Sequence, residues 1–122
     1  MKVIHSKDVV EAEVKGGTAT TRQVLISASE GPNFAMRKFI MQQGGGMPLH
    51  TNTVEHEQYV LKGKARVGIA GNEYEVNEGD VVLIPANVPH FYTNIGKGTF
   101  EFLCLIPNKE DVITIVSPDG DC

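Results

Sequence analysis

Two stretches of the sequence decide the fold: GMPLHTNTVEHEQYVLKG at residues 46–63 and GDVVLIPANVPHFYTN at residues 79–94. Successive side chains on a strand point to opposite faces, so we expect His50 and Asn52 to face the same way. A turn at 53–55 would then return His56 on the next strand, and His90 would open a further strand after a tight turn. The pattern predicts three imidazoles close together within one β-structure.

Short strands separated by turn signals make up most of the chain. Eight segments are rich in β-branched and aromatic residues: 22–28, 34–42, 57–61, 64–70, 73–76, 81–84, 90–94 and 99–106. Glycine and asparagine between them predict turns, including one at residues 44–46 and a two-residue hairpin turn at Gly71 and Asn72. No stretch sustains a period of about 3.6 residues. These features predict a β-sandwich or small barrel with little helix.

The second stretch resembles one of the two paired motifs of the cupin superfamily. Gly79 and Pro85 occupy the glycine and proline places of that motif, and His90 and Asn94 follow at its spacing. Asn87 stands where the motif has a glycine, and asparagine is the next-best residue for a positive φ.

The first stretch is similar to the other cupin motif, with two departures. That pattern has two histidines separated by one residue, then an acidic ligand, then a glycine, which here is Gly63. His50 fills the first place, Asn52 replaces the second histidine, and His56 replaces the acidic residue. The resemblance extends over residues 46–106 and is closest to single-domain cupins with an all-histidine metal site.

This resemblance implies an all-β fold, a single-domain double-stranded β-helix, or jelly-roll, barrel. Residues 43–107 would form the barrel core, and residues 1–42 would add N-terminal strands that pack on the barrel and on the partner in a homodimer. Residues 108–122 would form a C-terminal strand and tail. Within them, 111–115 is either an edge strand or a contact with a second subunit, and the tail from residue 116 is expected to fray.

Three converging imidazoles are a plausible ligand set for one divalent transition metal per chain. Neutral imidazole suits Fe, Ni, Cu and Zn, and it can hold Mn when oxygen ligands complete the shell. His50, His56 and His90 are therefore the predicted ligands. Three other side chains are candidates for further ligands or for groups that support the ligands: Asn52, Gln58 and Glu57. The alternative is that the histidines are ordinary core or surface residues, as in cupins that bind no metal.

Alternation along the last predicted strand identifies further residues of the interior. Phe102 and Cys104 share one face of residues 99–106, and Tyr92 shares the face of His90 on its own strand. We expect all three to line a pocket beside the histidines. Cys104 is either a small core hydrophobe or a thiol close to the metal.

Composition excludes several classes of protein. The chain has 122 residues, of which 41% are hydrophobic and 21% charged, and its formal net charge is −4. An acidic chain without a basic stripe is not expected to bind nucleic acid. No apolar run has the length of a membrane span, so a cytoplasmic protein without a membrane partner is predicted. The two cysteines offer no disulfide framework.

The function predicted from these residues is that of a metal-dependent enzyme, most simply a dioxygenase-type oxidoreductase acting on a small molecule. A three-histidine site leaves positions open for dioxygen or a substrate. Two alternatives remain open: a non-catalytic cupin that binds a metal or small ligand, and a metal-assisted isomerase or decarboxylase. The arginines Arg22, Arg37 and Arg66 are scattered along the sequence. An inward Arg37 or Arg66 would favour an anionic substrate.

Overall fold

Strands with alternating buried and exposed side chains account for most of the structure, a computed structural model that describes residues 1–116. The only regular helical segment within these residues is a single 3₁₀ turn at Ser6–Asp8. The strands in chain order are β1 (Ala12–Glu13), β2 (Thr18–Ile26), β3 (Phe34–Asn52), β4 (His56–Lys62), β5 (Lys64–Ile69), β6 (Asn72–Asn77), β7 (Val81–Ile84), β8 (His90–Asn94), β9 (Phe100–Pro107) and β10 (Ile113–Ile115).

The strands form one sheet in the order β6-β5-β8-β3-β9-β4-β7. β2 and β10 pair with β3, and β1 pairs with β2, all antiparallel. The sheet curls so that β4 approaches β6, and its inner face encloses the core. This arrangement confirms the predicted all-β jelly-roll barrel. Strand order differs from chain order because the chain crosses repeatedly between the two halves of the barrel.

β3 has 19 residues and runs without interruption through residues 44–46, where the sequence predicted a turn. That prediction was wrong. Gly46 is needed for close approach to β8, because a Cβ there would overlap the carbonyl oxygen of Tyr92. β3 can therefore pair with β9 through its N-terminal half and with β8 through its C-terminal half. One strand thus contributes to both halves of the barrel.

Two tight turns show how backbone conformation selects residues. The hairpin between β5 and β6 turns at Ala70 and Gly71, whose φ values are 52° and 85°. The sequence had placed this turn one residue later, but Asn72 pairs with Ile69 and begins β6. Positive φ at both central residues is the requirement of a type I′ turn. Asn87 has a φ of 68°, as expected for the residue that replaces the motif's glycine.

The core fills the barrel with aliphatic and aromatic side chains. Phe102 lies between two rings, stacking on Phe39 at 5.1 Å and on Tyr92 at 5.2 Å between ring centroids. Asn94 ties the end of β8 to its surroundings, because its amide donates to the carbonyl oxygens of Met41, Gln42 and Gly98. The other fully or nearly fully buried apolar residues of this cluster are Met41, Val60, Ala65, Val67, Val76, Val82, Ile84, Phe100 and Cys104.

The C-terminal segment returns to the histidine region of β3. β10 pairs with the last three residues of β3, so that Ile113 lies opposite Asn52 and Ile115 opposite His50. Of the two alternatives for residues 111–115, the structure shows the edge strand. The predicted fraying concerns mainly residues 117–122, which lie outside the described residues. Among residues 1–116, no helix is both long enough and apolar enough to cross a membrane.

Candidate functional site

A cavity of about 250 Å³ opens inside the barrel among the predicted site residues. It is small beside the pockets of about 300–1,000 Å³ that hold drug-sized ligands. Its lining combines aromatic and aliphatic side chains with histidine, amide and cationic groups: Val14, Lys15, Gly16, Arg22, Arg37, Phe39, Met47, Pro48, His50, Asn52, His56, Gln58, His90, Tyr92, Phe102, Cys104, Ile113 and Ile115.

Three neighbouring elements bring the three histidines of the sequence motifs to this cavity. His50 lies near the end of β3 and pairs across the sheet with His90, the first residue of β8. The centroids of these two rings are 4.2 Å apart, and the ring of His56 lies 5.8 Å from that of His90. All three are buried, with no more than 6% of each residue exposed. His5 lies outside this set, on the surface.

Each of the three rings is held by the backbone of the residue two positions before it. Nδ1 lies against the carbonyl oxygen two residues earlier, at 2.6 Å in His50, 3.1 Å in His56 and 2.9 Å in His90. A carbonyl oxygen can only accept, so Nδ1 must carry the proton and donate. The neutral ring then keeps a lone pair on Nε2, the nitrogen left for a metal or substrate.

Burial keeps two of these rings uncharged. Burial, with the nearby charge of Arg37 acting in the same direction, lowers the pKa of His56 to about 3. Burial also lowers the pKa of His90 to about 4. Desolvation disfavours the charged form of an imidazole, so both rings are neutral at physiological pH. Neutral imidazole is the form that binds a metal.

Asn52 presents an amide oxygen without a partner in the same region. Only 5% of the residue is exposed, and Oδ1 is buried with no hydrogen bond. Its amide nitrogen donates to Asp111 Oδ2 at 3.0 Å, while Thr53 N donates to Asp111 Oδ1 at 3.2 Å. Because the carboxylate accepts from Nδ2, the orientation of the amide is fixed and Oδ1 is left free. An unpaired buried carbonyl oxygen is costly and calls for a ligand.

Gln58, Tyr92 and Cys104 form a polar row beside the histidines. Gln58 Nε2 donates to the Tyr92 hydroxyl at 2.6 Å and approaches Cys104 Sγ at 3.7 Å. Burial raises the pKa of the Cys104 thiol and the pKa of the Tyr92 hydroxyl. Both groups therefore stay protonated at neutral pH. The structure places all three candidates, together with Phe102, in the cavity wall.

Glu57, a candidate ligand in the sequence, lies outside the cavity. It alternates with His56 and Gln58 on β4, so when they point inward it points to the surface. A hydrogen bond with Glu55, aided by some burial, raises the pKa of Glu57 to about 7. Its carboxyl group lies on the outer face and does not line the histidine cavity.

Two arginines line the cavity, and no local pattern in the sequence predicted that they would meet. Arg37 lies opposite Cys104 on the neighbouring strand, and its Nη2 donates to Cys104 Sγ at 3.3 Å. Its guanidinium carbon lies 5.1 Å from the centroid of the Phe39 ring. Arg22 is close enough that the charge of Arg37, in addition to burial, lowers its pKa. Arg66 is on the surface, paired with Glu73.

Within residues 1–116, no group of three or more His, Cys, Asp and Glu side chains has, as it stands, the geometry to hold a metal ion. The donors that gather here are of a different composition: three imidazoles and one amide oxygen. Their chemistry suits a transition metal, provided that the imidazole nitrogens draw together around it.

The sequence profile of the family described as Cupin domain matches residues 37–106 of this chain. The structure is similar to that of the polyketide cyclase RemF from Streptomyces resistomycificus, with a TM-score of 0.85 and 30% identity. That likeness covers 98% of this chain and 89% of the cyclase.

Two other proteins are similar over most of their length. An uncharacterized protein of Methanocaldococcus jannaschii is 27% identical over 107 residues, which are 85% of this chain and 86% of that protein. A predicted oxalate decarboxylase from Thermotoga maritima shares the fold with a TM-score of 0.79 at 20% identity, covering 87% of this chain and 98% of that one.

Proposed function

Because this chain belongs to the cupin family, we propose that it is a metal-dependent enzyme acting on a small oxygen-containing molecule inside the barrel. One observation carries the proposal: three buried imidazoles each donate Nδ1–H to a backbone carbonyl and so keep Nε2 free. Histidines that only filled the core would be expected to hydrogen-bond through both ring nitrogens.

His50, His56 and His90 would hold the metal through Nε2, and Asn52 Oδ1 would supply an oxygen donor, directly or through water. The buried, unpartnered Oδ1 supports this fit. The ligand types suit Mn, Fe, Ni, Cu or Zn. Such an ion would supply a Lewis acid that polarises a substrate oxygen.

The remaining lining residues favour orientation of the substrate over proton transfer. No Asp or Glu lines the cavity, and the raised pKa values of Tyr92 and Cys104 remove both as bases at neutral pH. The aromatic rings of Phe39 and Phe102 provide flat apolar walls. A substrate whose own C–H group is acidic, such as a 1,3-dicarbonyl compound, suits a site without a side-chain base.

The leading reaction is therefore a rearrangement of an enolisable carbonyl compound without net oxidation, such as ring closure. The 30% identity to a protein named as a polyketide cyclase supports this choice. A dioxygenase, the leading prediction from the sequence, is here the second candidate. It is favoured by the all-nitrogen histidine set in an apolar cavity, which leaves positions open for dioxygen.

Metal titration of the metal-free protein tests the proposal, with competition against a chromophoric chelator as the readout. We expect one equivalent of metal to bind, and His56→Ala and His90→Ala to weaken binding by at least about a hundredfold, more than loss of a supporting group does. His5→Ala is the control and should keep the wild-type affinity. Equal affinity of wild type and both cavity variants would refute the metal site.

Turnover of 1,3-diketo acids by the loaded protein then separates the candidate reactions. Product formed under argon supports the non-redox reaction, whereas product formed only in air, with oxygen consumed, supports the dioxygenase. A protein that binds one metal tightly but transforms no member of the series is instead a non-catalytic cupin. Product NMR and an oxygen electrode provide the two measurements.

A further inference from the structure

Positive charge gathers in the cavity of a chain that is acidic as a whole. The formal net charge is −4, yet Lys15, Arg22 and Arg37 all line the cavity and no acidic side chain does. Lys15 is exposed, whereas both arginines are partly buried. Like charges around a small cavity repel each other unless a counter-charge enters.

The arginine pair, Arg22 and Arg37, has no carboxylate partner within the described residues. The ion pairs found there join Lys2 to Glu30, Lys38 to Glu101, Lys64 to Glu75 and Arg66 to Glu73. The lysines left without a carboxylate partner among residues 1–116 are all exposed. The two guanidinium groups that line the cavity are not.

Arg37 also lacks full hydrogen bonding. Its Nε is buried without a partner, and its Nη2 donates to a thiol sulfur, which is a weak acceptor. The Phe39 ring beneath the guanidinium favours a fixed orientation of its plane. A planar guanidinium with unused donors matches the two oxygens of a carboxylate.

We infer that the arginine pair is an anion subsite, and that the molecule bound in this cavity is an aromatic or otherwise flat small molecule bearing a carboxylate. The carboxylate lies on Arg37 and Arg22, and the ring lies among Phe39, Phe102 and Tyr92. This inference rests on the proposed function, because only that function makes the bound molecule a substrate. It adds the charge of that substrate. The arginines supply the preference for an anion.

The test uses metal-free protein, so that it is independent of the histidines. The probes are 2-naphthoate and its neutral counterpart 2-naphthamide, with binding measured by NMR titration. Wild type should bind the acid at least about tenfold more tightly than the amide, a difference of about 1.4 kcal/mol. Arg37→Gln and Arg22→Gln should each remove most of that preference and leave the affinity for the amide unchanged.

Arg66→Gln is the matched control, because this arginine is exposed and already paired with Glu73. It should keep the full preference for the acid. Arg37→Lys should retain part of it, since lysine keeps the charge without the planar fork. The wild-type comparison of acid with amide needs no variant and stands even if Arg37→Gln fails to fold.

The inference is overturned if acid and amide bind equally, if neither binds at millimolar concentration, or if the preference survives in both glutamine variants. Its failure is distinct from failure of the metal site. A protein that prefers the acid but binds no metal retains the subsite and loses the proposed chemistry. One that binds metal through the histidines without preferring the acid retains the metal site and loses the anion subsite.

Discussion

The two ends of β3 contribute opposite kinds of group to the same cavity. Near its C-terminal end, His50 joins His56 and His90 in a set of buried rings, each held by a carbonyl oxygen two residues earlier. Nearer its N-terminal end, Arg37 joins Arg22 in a pair that has no carboxylate partner among residues 1–116. The histidine set is fixed by its own local backbone, while the arginine pair is left incomplete.

The histidine set and the arginine pair are prepared to bind different ligands. A hydrogen bond from Nδ1 fixes the tautomer before any metal arrives, so that the lone pairs are already directed. The arginine pair keeps its charge and has donors to spare, which is the condition for an anion. One part of the cavity is neutral and rich in lone pairs, and the other is positive and rich in donors.

Acid should have the largest effect on this difference, because it protonates the buried rings of His56 and His90. An unfolded histidine takes up a proton near pH 6.5, whereas the lowered pKa values delay this in the folded state to about 3 for His56 and about 4 for His90. Between these limits the unfolded state binds more protons, so stability falls as the pH falls. Each histidine contributes a slope of up to about 1.4 kcal/mol per pH unit.

Urea unfolding of the metal-free Glu57→Gln protein between about pH 6.5 and about pH 5 measures this slope, because the raised pKa of Glu57 would oppose it in the same window. Most other carboxylates titrate below this window. His56→Gln should reduce the slope by about half, since only His90 then contributes such a lowered pKa. His5→Gln should leave it unchanged, because His5 is exposed. A slope that His56→Gln does not alter would contradict the assignment of His56 as a buried neutral ring.

A smaller effect is expected at the amide oxygen that completes the histidine set. Asp111→Ala should weaken metal binding about tenfold, as loss of a group that orients a ligand does. Asn52→Ala should weaken it by a similar factor. If Asp111 acts by orienting Asn52, the double variant should be no weaker than Asn52→Ala alone.

Asp80→Ala is the control for this pair of variants, because Asp80 accepts from the backbone of Asn77 away from the cavity. It should leave the metal affinity unchanged in the same chelator competition. A further tenfold loss on adding Asp111→Ala to Asn52→Ala would show that Asp111 acts independently, and the orienting role would be wrong.

Local pattern was enough to predict a β-sandwich or small barrel and the inward direction of most candidate side chains, and the resemblance to cupins implied the jelly roll. The turns next to His50, His56 and His90 fix which side chains of each strand face the interior. Asn87 adopts the positive φ expected of it, because it stands at the glycine place of a tight turn. These features depend on residues close in sequence, which is why they could be predicted.

Features that depend on distant contacts were not predictable. The run containing Arg37 has apolar side chains on both faces, so its inward direction becomes clear only after pairing with β9. Asp111 meets Asn52 across 59 positions, through the return of β10. The glycines at 44–46 read as a turn because the close approach of Gly46 to Tyr92 on β8, and of Gly45 to Thr18 on β2, has no local signal.

The most direct measurement of the central claim is long-range ¹H–¹⁵N NMR of the imidazoles in ¹⁵N-labelled, metal-free protein at mildly alkaline pH. His50, His56 and His90 should carry the proton on Nδ1. His5 provides an internal contrast, because its Nδ1 accepts from Lys7 N and its proton must lie on Nε2. One equivalent of Zn²⁺ should shift the three Nε2 resonances together and leave His5 unchanged. Protons on Nε2 of the cavity histidines, or rings that do not respond together to Zn²⁺, would contradict the account.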